Sequence, residues 1–325
     1  MVQQQFLKNE KDIKQWLDKY KIKEYHLIPC DIYGFVVNVS ENVNLQDKDL
    51  QSIDVKFLNV YGNFICDNNN LSSLCFAPQY VQGTFSCKNN NLTSLQGLPL
   101  FVSSDINCSD NKLRSLIGAP QKVSGDFDCS KNKLTSLKYS PLEVLGNFIC
   151  SYNELTSLYE GPKQVSKNYY CDHNALTNLN TIASTILGDL NCSYNNISTF
   201  LNGPQHIFGS VYCQHNKIRK FDGFPTNSIK NLNISFNELD CFDNCPPYIY
   251  GNFNISHNNL SFNNSFEFPL LVTGQIFLSH NESLRHLKQI MKINEMQQYI
   301  ETEKEKNHLQ NSISSNYTTL ISNKI

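Results

Sequence analysis

Gly125-Asp126-Phe127-Asp128-Cys129-Ser130-Lys131-Asn132-Lys133-Leu134-Thr135-Ser136-Leu137 is one copy of a unit that returns along most of a 325-residue chain. Its cysteine has counterparts at Cys66, Cys87, Cys108, Cys150, Cys171, Cys192 and Cys213, so that eight cysteines follow one another at steps of 21 residues. Three residues after each stands an asparagine. That column runs on past the cysteines, as Asn69, Asn90, Asn111, Asn132, Asn153, Asn174, Asn195, Asn216, Asn237, Asn258 and, after a two-residue insertion, Asn281. A fixed period of roughly 20 to 50 residues predicts a solenoid, in which each unit packs only on its neighbours.

The columns of the repeat have physical readings. Phe64, Phe85, Ile106, Phe127, Phe148, Tyr169, Leu190, Val211, Leu232, Phe253 and Ile276 lie two residues before the cysteine position, so both columns point to one face of a strand and form the core wall. Leu71 to Leu260, two residues after each asparagine, and Leu74 to Phe242, three further on, fill the middle. A proline nine residues after the asparagine in eight repeats, from Pro78 to Pro246, and in a ninth at Pro269 beyond the two-residue insertion, removes a donor and predicts an extended return side without helix. A glycine seven before the asparagine, as at Gly62, Gly83, Gly125 and Gly146, is expected to permit a tight entry into the next strand. The asparagine is expected to satisfy backbone groups of its own and the adjacent repeat at a buried turn.

The ends differ from the body. Phe6, Ile13, Trp16, Leu17 and Tyr20 share one helical face and Asn9 with Asp12 makes an N-cap pair, which predicts an amphipathic helix. Tyr25-His26-Leu27-Ile28 and Phe35-Val36-Val37-Asn38-Val39 follow as a hairpin or first sheet edge, giving an N-terminal helix and hairpin over residues 1–42. Val43, Leu45, Leu50 and Ile53 form a degenerate first repeat that opens a solenoid over residues 43–284. Leu284, Leu287, Ile290, Ile293 and Met296 lie on one stripe and predict a closing helix within 285–308, with a disordered Asn- and Ser-rich tail at 309–325.

Composition excludes several functions. With 27 basic against 29 acidic residues there is no basic footprint for nucleic acid. No run approaches the roughly 18 apolar residues of a membrane span, and Met1-Val2-Gln3-Gln4-Gln5 lacks the features of a signal peptide. A soluble chain made in a cytoplasm is expected, with reduced, inward-facing column thiols, because free cysteine packs as a small hydrophobe. Asn-x-Ser/Thr triplets such as Asn107-Cys108-Ser109 fall inside the strand and turn, where glycans block stacking.

Phe127-x-Cys129-x-x-Asn132-x-Leu134 resembles the L-x-L-x-x-N-x-L segment of leucine-rich repeats. Asn90-Asn91-Leu92-Thr93-Ser94-Leu95-Gln96-Gly97-Leu98-Pro99 is similar to the short repeats of secreted bacterial effectors, and the G-x-F-x-C-S-x-N-x-L-T-S-L variant to those of bacterial and phage open reading frames. The resemblance implies an α/β repeat solenoid shaped as a horseshoe, with a parallel β-sheet on the concave face, an extended convex side and helical caps at both ends. Effectors of this kind with ubiquitin-ligase activity carry a large helical domain with a catalytic cysteine; here about 40 residues without cysteine follow the repeats, which argues against an enzyme.

The search for chemistry agrees with that expectation. No P-loop, G-x-G-x-x-G or G-x-S-x-G is present, Cys241-x-x-x-Cys245 finds no second pair for zinc, and neither a catalytic residue, a metal site nor a cofactor is assigned. The column just before the asparagines reads Asn68, Asn89, Asp110, Lys131, and then Tyr152, His173, Tyr194, His215, Phe236, His257, His280. Tyr170, Tyr212 and Phe277 lie one residue before the cysteine position in the same half. These ten residues form the expected binding surface, since exposed aromatics dominate interface hot spots, although cross-strand aromatic pairing that merely stabilises the sheet is the plain alternative. The expected function is a monomeric, non-enzymatic protein-binding module, cytoplasmic or delivered into a host cell without a cleavable signal peptide. A glycan- or surface-binding adhesin is the competing reading.

Overall fold

The computed structural model describes residues 6–260 and 268–281. The chain winds as a solenoid around one continuous apolar core. Twelve parallel strands of two residues each, from Val43–Asn44 to Ile276–Phe277, stack at the 21-residue period, with a 23-residue step before the last, and form one sheet. Equivalent residues pair across it, for example Phe64 with Phe85 and Phe127 with Phe148. The Phe and Cys columns point inward: Phe64, Phe85, Phe127 and Phe148 are buried with all eight column cysteines. Those eight thiols are free, and burial pushes each well above the usual thiol range. Several also donate to the strand carbonyl of the next repeat, as Cys108 Sγ does to the Asp128 oxygen at 3.1 Å.

The asparagine column does what a buried amide at a turn must do. Asn132 Nδ2 donates to the carbonyls of Cys108, Cys129 and Ser130 at 3.1, 3.1 and 3.0 Å, and its Oδ1 accepts the Leu113 N–H at 2.9 Å. The pattern recurs from Asn69 to Asn258, and each amide links two repeats.

The return side is extended, as the prolines imply, and it is also a sheet. One column of Val and Ile, including Val81, Val123, Val144, Val165, Ile186 and Ile207, is buried on short strands such as Lys122–Val123 and Glu143–Val144. The strands pair as groups of five, five and two, in parallel except for the first pair of the first group. Between the second and third groups Asn227 stands in for a strand: its Nδ2 donates to the Ile207 carbonyl at 2.7 Å and its Oδ1 accepts the Ile207 N–H.

At the N-terminal end, α1 (Glu10–Lys19) starts from Asn9, whose Oδ1 accepts the Asp12 N–H at 2.8 Å. It buries Ile13, Trp16 and Leu17, and the Trp16 ring meets Phe57 at 6.1 Å. The hairpin β1 (Tyr25–Cys30) and β2 (Gly34–Val39) is antiparallel and joins the edge of the second sheet, where β2 pairs with Phe57–Val60. The expected closing helix at 285–308, the tail at 309–325 and most of the insertion near Phe262 lie outside the described residues.

The glycine column has a different reason from the one expected. None of Gly62, Gly83, Gly125, Gly146, Gly188, Gly209, Gly251 and Gly274 has a positive φ. A Cβ on any of them instead falls 2.1 to 2.6 Å from the Oδ1 of an Asn or Asp in the preceding repeat. That oxygen is in use: Asn63 Oδ1 accepts the Thr84 N–H at 2.8 Å, and Asp105 Oδ1 accepts the Asp126 N–H at 2.8 Å. Where the chain has Thr84 or Ser210 in place of Asn or Asp, the residue 20 positions later is Ser104 or Lys230, not glycine. Lys167 is the exception. It follows Asn147, whose contact with the Asn168 N–H is 3.1 Å.

Candidate functional site

Each strand of the first sheet ends one residue before the cysteine position, and past the cysteine the backbone must reverse so that the asparagine side chain points inward. The residue between takes the left-handed conformation in every repeat, with φ of 54° at Asn68, 52° at Asn89, 58° at Asp110 and 52° at Lys131. Asn and Asp tolerate this region, whereas other side chains pay roughly 1 to 2 kcal/mol there. From Tyr152 onward the same position holds a ring in seven consecutive repeats, with φ of 51° to 58°.

Identical backbone geometry at a constant period makes the side chains parallel, and the rings stack. Tyr152, His173, Tyr194, His215, Phe236, His257 and His280 form one ladder with successive centroid separations of 4.0, 4.3, 4.3, 4.3, 4.0 and 3.9 Å and planes within 16° of parallel. Each interior ring covers both faces on its neighbours and turns an edge to solvent. Tyr152 remains 49% exposed, Tyr194 43% and Phe236 43%. Sugar recognition by stacking needs an open ring face, which the interior of this ladder does not offer.

Tyr170, Tyr212 and Phe277 occupy the outward position of the first sheet beside the ladder. Tyr170 and Tyr212 are half-buried, with Asn191 on the strand between them, and Phe277 is exposed on the last described strand, far from Tyr170. Burial raises the Tyr170 hydroxyl above the usual tyrosine range, Asp189 nearby adds to this, and a hydrogen bond to Asn168 opposes it. The ladder and the two tyrosines therefore come together, whereas Phe277 adjoins only the ladder's far end.

The four histidines differ in their surroundings. His173 Nδ1 lies 2.8 Å from Asp172 Oδ2, and the buried Asp172 also accepts from Ser151 Oγ. At His257 the imidazole is held below its ordinary range, first by loss of solvent and then by repulsion from His280 and His215.

Sequence reasoning found the column but neither its left-handed backbone nor its face-to-face stacking. The signal for the first was present in Asn68, Asn89 and Asp110, residue types that favour that conformation. It also missed exposed apolar side chains near the second sheet, Leu187 at 56% and Phe208 at 61%.

Little else suggests chemistry. Among the described residues no three His, Cys, Asp or Glu side chains are grouped to hold a metal, and burial raises the Cys241 thiol to about 11, away from a reactive thiolate. Among the described residues no helix is long and apolar enough to cross a membrane.

No protein-family model and no curated protein sequence matches the chain. Solved structures do. The leucine-rich repeat domain of APL1B superposes with a TM-score of 0.57 at 19% identity, over 85% of this chain and 88% of that one. YopM, a leucine-rich effector protein from Yersinia pestis, gives a TM-score of 0.53 at 19% identity over 74% of this chain. YopM from Yersinia enterocolitica WA-314 gives 0.47 at 19% identity over the same 74% share. The chain spans 66% and 64% of the length of these two YopM structures.

Proposed function

We propose that this chain, which has the leucine-rich-repeat fold, is a non-enzymatic protein-binding module whose partner docks on the ring ladder, with Tyr170 and Tyr212 beside it. The observation that carries this reading is that the fold does not need the rings. Repeats with Asn68, Asn89, Asp110 or Lys131 make the same turn at the same φ, so the ladder accepts left-handed strain at seven positions for side chains that stay exposed or half-buried. Exposed, rigid aromatic side chains are the groups that carry interface energy.

Ring spacing supports placing the ladder on the concave side. On the ladder side the rings stand 3.9 to 4.3 Å apart, below the strand spacing of about 4.8 Å, while core-side pairs stand 5.6 Å (Phe64 and Phe85) and 6.0 Å (Phe127 and Phe148) apart. Side chains converge on the inside of a bend and diverge on the outside. One structural neighbour is an effector, and we place this chain in the same setting: a bacterial or phage-encoded monomer that acts in a cytoplasm, its own or a host's.

The test is a triple variant, Tyr194→Asn, Tyr212→Asn and Phe236→Asn, each borrowing a residue that the chain uses at the equivalent position of other repeats (Asn89, Asn191, Asn68). Its fold should persist, while affinity for a captured partner should fall by about 2 kcal/mol or more per anchor. Full-strength binding by the folded variant refutes the reading.

A further inference from the structure

The ladder is not chemically uniform. Its first rings alternate tyrosine with histidine, and its last five are His215, Phe236, His257 and His280 preceded by Tyr194. Among the described residues, only His173 of the four imidazoles has a carboxylate in contact, Asp172. No hydrogen bond within the described residues is made by the ring nitrogens of His215, His257 or His280, whose edges face outward from the stack. His257 and His280 are adjacent, with centroids 3.9 Å apart.

The groups facing this pair are few. Within the ladder His257 meets Phe236 and His280, with His215 one ring further. Beside it a shallow cleft is lined by Arg219, Glu238 and Asp240 together with Asn237, Asn258 and Asn259. Glu238 is engaged with Arg219, whose Nε donates to its Oε2 at 2.9 Å, and among the described residues neither it nor Asp240 hydrogen-bonds His257. On the underlying strands the neighbours are neutral, Ser256 and Asn254 bonding each other. The outer surface of this end thus offers several imidazole edges in a row, none of which bonds a carboxylate among the described residues.

Resting on the proposed docking of a protein at the ladder, we infer that the partner is an acidic segment whose carboxylates meet the imidazole edges of His215, His257 and His280, and that binding takes up protons. A carboxylate against an imidazole edge forms a charge-assisted hydrogen bond only when the ring is protonated, so partner and proton bind together. Uptake of one proton per complex tightens binding about tenfold for each unit of pH lost, across the range in which free imidazole titrates.

The experiment uses the full chain and two fluorescein-labelled decapeptides, one rich in Glu and one with Gln in the same places. Fluorescence anisotropy at about pH 5.5 and about pH 7.5 brackets the unperturbed imidazole value of ~6.5. The expected result is that the Glu peptide binds about tenfold or more tightly at the lower pH and the Gln peptide does not. A His257→Asn, His280→Asn variant, with the residue that repeats such as Asn68 carry in the same conformation, should lose that dependence while keeping its circular dichroism. Equal affinity for both peptides, no binding of the Glu peptide at the lower pH, or an unchanged pH dependence in the variant overturns the inference. Failure of the underlying docking reading shows elsewhere, as full-strength capture of the natural partner by the triple Asn variant whatever the pH.

Discussion

Replacing Gly83 by alanine places a Cβ 2.1 Å from Asn63 Oδ1, with Asn63 Cγ and N next nearest at 3.1 Å, so the one atom that must move is the end of the Asn63 side chain. Moving it weakens the bond in which Asn63 Oδ1 accepts the Thr84 N–H, worth about 0.5 to 1.5 kcal/mol, and adds crowding of similar size. Alanine also lowers the entropy of the unfolded chain, which stabilises by about 0.4 to 1 kcal/mol. The single variant should therefore lose only about 1 kcal/mol. A double-mutant cycle with Asn63→Thr cancels the entropy term, since it appears on both sides. Threonine is the chain's own solution at Thr84, which precedes Ser104. The expected coupling is on the order of 1 to 2 kcal/mol, with Gly83→Ala neutral or stabilising in the threonine background, read from urea denaturation midpoints. Coupling within the ~0.3 to 0.5 kcal/mol of independent sites means that the glycine column has another cause.

Three further outcomes follow from the geometry. Tyr169 sits fully buried in the phenylalanine column with a hydroxyl that has no hydrogen-bond partner among the described residues, so Tyr169→Phe should stabilise the fold by about 1 kcal/mol in chemical denaturation. Asn132→Ala removes four bonds at a buried turn and should destabilise by roughly 3 to 5 kcal/mol, with an unfolding midpoint to match. Because the folded His257 lies below its unfolded value of about 6.5, the free protein should hold its stability above that pH and lose some as pH falls through it, a loss that melting curves should show reduced in His257→Asn.

The core was legible because its spacing is rigid: eight cysteines at one period and an unbroken asparagine column leave a single stacking register, and the buried Phe, Cys and Leu columns lie where that register puts them. The second sheet beyond its hairpin was not, because past Phe57–Val60 its strands are two residues long with one buried Val or Ile each and carry no cysteine or asparagine marker, too short for an alternating pattern to appear. The glycines misled for a related reason. Their partner stands 20 residues earlier, and only the fold shows that Asn63 reaches over Gly83. For the candidate site, the column of rings could be read from the chain, but not that a repeated left-handed turn would lay them face to face and leave only edges to solvent. That distinction bears on function, since a partner at the interior of the ladder meets ring edges and not ring faces.

The proposed function requires a partner that touches the solenoid at the ladder. Hydrogen–deuterium exchange of the full chain, with and without a captured partner, measures this directly. Protection should concentrate on peptides containing Tyr170, Tyr194, Tyr212, His215, Phe236 and His257, and leave those containing Asn68, Asn89 and Asp110 unchanged. Protection confined to the early repeats, or to the second sheet around Leu187 and Phe208, contradicts it.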